Sequence, residues 1–213
     1  MSLLPVLSLV LTLLAGDPAA GARLTFTKSF PGSNPDYYRI TIQENGEALY
    51  STTPPGEKPD ERSDEGRFRV SAGLAAQAFE HSARLNHLRG IELETRKKLA
   101  FMGKKTVVYE NGAERGEAAF NYSENQDAMA LAELFEKISN TQQNRLEMER
   151  LARFDKLGLM KQLLSVETAL NKKDLAEPSL LVPVLEKIAA NKSYLNIVQQ
   201  RARIILAKIQ IPK

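Results

Sequence analysis

The segment Asp36–Gln43, DYYRITIQ, alternates strictly. Tyr38, Ile40 and Ile42 fall on one side and Tyr37, Arg39, Thr41 and Gln43 on the other, the period-two signature of a half-buried strand. Asn45-Gly46 follows, and read as a two-residue type I′ turn it sets Ile42 opposite Leu49 and Thr41 opposite Tyr50. That register predicts a core side of Tyr38, Ile40, Ile42 and Leu49, with Tyr37, Arg39, Thr41 and Tyr50 sharing the polar face. The Pro-, Gly- and acid-rich stretch Ser51–Gly66 reads as an exposed loop. GRFRV then predicts a strand with Phe68 and Val70 inward. Ser71 caps a helix whose stripe is Leu74, Ala78, His81, Leu85 and Leu88.

The pattern recurs 66 residues later. GKKTVVYENGAERGEAAF predicts two strands around a second Glu-Asn-Gly, and a helix follows, capped near Ser123. Here a three-residue loop with a bulge aligns Val108, Gly116, Ala118 and Phe120. From Gln126 onward the period is helical, with stripes at Leu131, Leu134, Phe135 and Ile138, then Leu146, Leu151, Phe154 and Leu157. Gly158 reads as a helix-ending glycine. Further stripes are Leu159, Leu163, Val166 and Leu170, then Val184, Leu185 and Ile188, then Leu195, Val198, Ala202, Ile205 and Ile209. The predicted fold class is α+β: two β-hairpin-plus-helix units form an antiparallel sheet with packed helices, followed by an all-α C-terminal part.

Apolar periodicity lapses at Ser139–Asn144, SNTQQN, which places a boundary between an α+β region, residues 23–140, and a helical region, residues 141–213. Charge changes across it. The first region carries 16 Lys and Arg against 18 Asp and Glu, the second 13 against 7. A basic helical tail suits an anionic envelope surface.

Before the first strand, the apolar run Leu3–Ala15 is too short to span a bilayer. Ala20-Gly21-Ala22 follows, a small-x-small pattern of the kind signal peptidase cuts. Residues 1–22 therefore read as a secretory signal, with the mature chain starting near Arg23 and exported to the periplasm or beyond. The n-region has no Lys or Arg, which leaves open a start further upstream. No cysteine occurs, so disulfides, thiolate nucleophiles and Cys-ligated metals are excluded.

Candidate chemistry is sparse. No GxSxG, HExxH, Walker loop or GxGxxG is present. His81 and His87 are six residues apart and face different sides of a helix, so they cannot chelate one metal from one face. The cationic run RKKLAFMGKK, residues 96–105, reads as a strand edge protected by lysines rather than as a nucleic-acid site. No cofactor is implied. The candidate binding residues are Tyr37, Arg39 and Tyr50, because tyrosine and arginine supply large contact area with polar handles.

SFPGSNPDYYRITIQENGEALY with its capped helix, and the second VVYENG unit with its own, resemble exported bacterial domains of the emfourin type, a family of small metalloprotease inhibitors. The likeness covers at most residues 24–140. Where that family has paired glycines this chain has Phe30-Pro31-Gly32, so the fold is carried over and the target is not. The functional expectation is a non-catalytic binding or inhibitory module of the bacterial cell envelope, with another exported protein as partner and weak contact with anionic envelope surface. A structural or assembly protein acting through the basic tail is the alternative, and a hydrolase the third.

Overall fold

A computed structural model describes residues 21–53 and 64–210. The signal reading of residues 1–22 and the acidic positions Glu57, Asp60 and Glu61 lie wholly or almost wholly outside them. The chain forms an α+β fold: a six-stranded antiparallel sheet in the order β4-β3-β2-β1-β5-β6, helices on one face, and a helical C-terminal part. The strands are β1 (Arg23–Ser29), β2 (Tyr37–Gln43), β3 (Glu47–Thr53), β4 (Asp64–Arg69), β5 (Lys104–Asn111) and β6 (Glu114–Phe120). The helices are α1 (Ala72–Arg84), α2 (Gln126–Phe154), α3 (Gly158–Lys172), α4 (Val182–Ala190) and α5 (Asn196–Gln210).

The central strand is one the periodicity reading did not assign. β1 pairs with β2 on one side and β5 on the other, and its Leu24 and Phe26 are fully buried. The two hairpins therefore flank β1, and β4 extends the first of them. Ser51–Thr53 and Asp64–Gly66, both ends of the expected Ser51–Gly66 loop, belong to β3 and β4, and residues 54–63 lie outside the described residues.

Both hairpin registers differ from expectation. The first loop has three residues, Glu44-Asn45-Gly46, and pairs Ile42 with Ala48, Thr41 with Leu49 and Ile40 with Tyr50. Of the Asn-Gly pair only Gly46 takes a positive φ, 84°. A Cβ there would lie 2.8 Å from the Val70 carbonyl oxygen, because Val70 N–H donates to Gly46 O. The shift of one residue turns Tyr50 into the core and Leu49 out of it. The second loop has two residues, Gly112-Ala113, and pairs Val107 with Ala118 and Tyr109 with Gly116. Val107 and Tyr109 are thus the buried positions, and Val108 is not.

Helix starts follow the capping chemistry. Ser71 Oγ accepts from Leu74 N–H at 3.2 Å, as expected. α2 is capped by Asn125 rather than Ser123, its side chain accepting from Asp127 and Ala128 N–H at 2.9 and 3.1 Å. Gly158 does not end a helix. It opens α3, and its N–H is taken by Asp155 Oδ1 at 3.0 Å.

SNTQQN is not a connection. α2 runs unbroken through it for 29 residues, so the 140/141 boundary falls inside a helix. The core changes along that helix instead. Residues up to Ile138 pack with the sheet and α1, where Phe135 stacks on Phe26 at 5.0 Å between centroids. Met148 and Leu151 pack with the apolar stripes of α3, α4 and α5. Ser139, Thr141, Gln142 and Asn144 are buried between the two. Among the described residues no helix is long and apolar enough to cross a membrane.

Candidate functional site

Hydrogen bonds hold the polar middle of α2 in place. Gln143 Nε2 donates to Ser139 Oγ at 2.7 Å, and Ser139 Oγ lies 3.4 Å from the Tyr50 hydroxyl on β3. Asn140 Nδ2 donates to Asp174 O at 3.0 Å and Thr141 Oγ1 to Ala176 O at 2.6 Å, anchoring the turn after α3. Asn144 Nδ2 donates to Asn140 Oδ1, and Gln162 Nε2 of α3 donates to Asn144 Oδ1, both at 2.8 Å.

Above this row the surface opens into two adjoining hollows of about 410 and 520 Å³, which share Asn34, Pro35, Asn140 and Gln143. The first is walled by Lys28, Phe30, Tyr38 and Glu136, the second by Tyr50, Leu146 and Arg150. The far rim is the β1–β2 loop, which is fixed by its own bonds. Phe30 N–H donates to Asp36 O at 2.8 Å, Gly32 N–H to Asp36 Oδ1 at 3.1 Å, and Ser33 Oγ reaches the Phe30 and Pro35 carbonyls at 2.6 and 2.7 Å. A groove with both walls held in this way pays little ordering entropy on binding.

The charges at one end are matched. Lys28 Nζ donates to Glu136 Oε1 at 2.8 Å, and Lys105 Nζ stands 4.0 Å from the same oxygen. Lys105 is buried and donates to Asn121 O at 2.8 Å; burial pulls its ammonium down, with Glu136 opposing. Burial pushes the Tyr38 phenol far up, and the nearby Glu136 charge and Tyr50 add to that. Tyr50 is also pushed up by burial, opposed by its bond with Ser139. At neutral pH both phenols therefore remain O–H groups, able to donate or accept hydrogen bonds and not to act as bases.

The three residues expected from sequence are not brought together. Tyr37 is half-buried and Arg39 exposed on the sheet face away from the helices, the guanidinium 5.9 Å from the Tyr37 ring centroid. Tyr50 is only 1% exposed and lies on the helix side, where it lines the groove. Its register shift is the reason. The sequence pattern places Tyr38 in the core alone, and Asn140 and Gln143 at a boundary. The histidines lie elsewhere. His81 Nδ1 is 2.7 Å from Asp127 Oδ1, clasping α1 to α2, and the His87 ring lies on Tyr109 with centroids 4.2 Å apart. Of the cationic run, Lys97 pairs with Glu124 and Lys105 is buried, while Leu99, Phe101 and Met102 are exposed. Phe101 meets Phe30 edge-on at 5.8 Å, which extends the groove rim with apolar surface.

These features define an α+β protein with a polar interior groove between a sheet-backed core and a helical one. No protein-family model matches the chain, and no curated protein matches it.

Proposed function

We propose that the protein is a non-catalytic binding module, exported to the cell envelope, that holds an extended polypeptide segment of another exported protein in the groove over α2. The observation that carries this reading is the row Asn140, Gln143 and Glu147, spaced on one helix face and looking across at Asn34-Pro35. Side-chain amides and neutral phenols match the alternating donors and acceptors of a peptide backbone. The apolar rim of Phe30 and Phe101 suits a side chain flanking it. Glu136, already neutralised by Lys28, and two phenols held as O–H groups favour recognition over proton transfer. Export is supported by the N-terminal segment; an intact mass beginning near Arg23 tests it, and an unprocessed cytosolic protein would remove it.

Selection from a display library of random linear peptides tests the groove. The reading predicts enriched peptides whose affinity falls at least about tenfold in Gln143→Ala, a loss of about 1.4 kcal/mol. Arg39→Ala, on the opposite sheet face, should leave it unchanged. Enrichment that depends on Arg39 and ignores Gln143 would move the site to the other face. No enrichment at all would refute a peptide groove.

A further inference from the structure

Where α2 turns into α3, and where α4 turns into α5, three residues of the sequence stripes stand in solvent: Phe154 is 79% exposed, Leu157 85% and Leu195 66%. Ile197, outside the stripes, is 56% exposed beside Leu195. The two turns are neighbours. Lys156 Nζ donates to Ser193 Oγ at 3.1 Å and stands 5.6 Å from the centre of the Tyr194 ring, and the Tyr194 hydroxyl donates to Ala152 O at 2.9 Å. They form one end of the helical part, far along α2 from the groove's charged end. Scattered single apolar side chains need no explanation, but four large ones on two linked turns do.

The surrounding charge is mostly positive. Arg153, Lys156, Lys187 and Lys192 have no carboxylate within ion-pair distance among the described residues. The nearby acids are fewer: Asp155, exposed at the apex, caps Gly158 N–H, Glu149 pairs with Arg145 at 3.0 Å, and Glu186 is exposed on α4 beside Lys187. Beside the turns a hollow of about 340 Å³ is lined by Arg153, Lys187, Asn191 and Tyr194 and by Glu149, whose carboxylate is paired with Arg145. It has room and cationic donors for a phosphate-bearing headgroup.

The geometry points to this end of the helical part as a docking surface for an anionic phospholipid membrane. Phe154, Leu157 and Leu195 enter the interface between headgroups and acyl chains, and Arg153, Lys156, Lys187 and Lys192 meet the phosphates. Apolar side chains at the apex of turns, ringed by cations, fit a soft anionic surface. A protein partner would be met by a broader, flatter face. This docking is independent of the groove.

The chain contains no tryptophan, so Phe154→Trp gives a reporter at the apex alone. With vesicles of phosphatidylglycerol and phosphatidylcholine its emission should shift to the blue and be quenched by brominated acyl chains. With phosphatidylcholine alone it should not shift. In flotation with the mixed vesicles, Phe154→Ser/Leu157→Ser and Lys187→Gln/Lys192→Gln should each lower the bound fraction at least about tenfold, with circular dichroism and Tm unchanged because all four positions are exposed. The inference is overturned if the protein floats while the reporter stays unshifted, since another segment then binds. It is overturned equally if nothing floats at low salt, or if the shift appears without vesicles and rises with protein concentration, which would mark contact with a second copy.

Discussion

The two ends of α2 sit in different interiors. Its first half meets a sheet, and there six rings, Phe26, Tyr38, Tyr50, Tyr109, Phe120 and Phe135, pack among aliphatic side chains such as Leu24, Ile40, Ile42 and Leu131. Its last turns meet only helices, and apart from Tyr194 the filling is aliphatic, from Leu159 and Leu163 to Ile188 and Ile205. A flat sheet face leaves wide gaps that aromatic side chains span, whereas ridged helices interlock through leucine and isoleucine. The polar residues between belong to neither interior. They keep the two apart without breaking the helix, and the surface that opens above them is the groove.

That comparison is broken most sharply by emptying each core. Phe135→Ala should cost about 3–5 kcal/mol and Leu185→Ala about 2–5 kcal/mol, read by urea unfolding. Because one helix enters both cores, each variant should shift a single transition. A thermogram in which Phe135→Ala leaves a separate helical transition untouched would mean that α2 does not couple them.

A smaller effect is expected on the sheet side alone. Gly116 lies under the turn Asn86–Leu88, and a Cβ there would come within 2.0 Å of His87 O. All three turn residues have positive φ, 53°, 51° and 64°, so that backbone has little room to yield. Gly116→Ala should destabilise by about 1–3 kcal/mol, and unfolding at the wild-type midpoint would contradict the close approach.

The smallest effect is ionic, and each region has one clasp. The Asp127 carboxyl is held below its usual range by the His81 hydrogen bond, then by Arg84, between α1 and α2. Glu167 is held low by Lys208, then Arg201, between α3 and α5. A depressed carboxyl stabilises the fold above its unfolded pKa of about 4 and loses that contribution as pH falls through the lower folded value. Urea midpoints followed from pH 6 to pH 2 should therefore drop less steeply in Asp127→Asn and in Glu167→Gln than in the wild type. An unchanged acid limb in either would mean that clasp contributes nothing.

Much of this architecture is readable from periodicity. DYYRITIQ gives its buried face correctly, Ser71 caps α1, and the C-terminal stripes mark α3, α4 and α5. The hairpin registers are not readable, because Asn-Gly serves both two- and three-residue loops, and what selects the longer one is the approach of Val70 to Gly46, a contact 24 positions away. β1 is also legible, since Leu24 and Phe26 alternate with polar residues, but a strand of seven residues beside a proposed cleavage point carries no turn signal of its own. The groove residues were visible as a lapse in apolar spacing. A lapse marks a linker or a polar stretch inside a helix, and the absence of Gly and Pro from Gln126 to Phe154 was the signal that favoured the second. Phe154, Leu157 and Leu195 show the converse, since helical spacing alone does not say which stripe members reach the core.

Residues 139–144 are continuous helix and the floor of the groove. Amide hydrogen exchange followed residue by residue along α2 tests that most directly. Amides 139–146 should exchange as slowly as 135–138 and 148–151, since all lie in one helix anchored in both cores. Rapid exchange confined to 139–146, between two protected flanks, would show a linker in place of that floor.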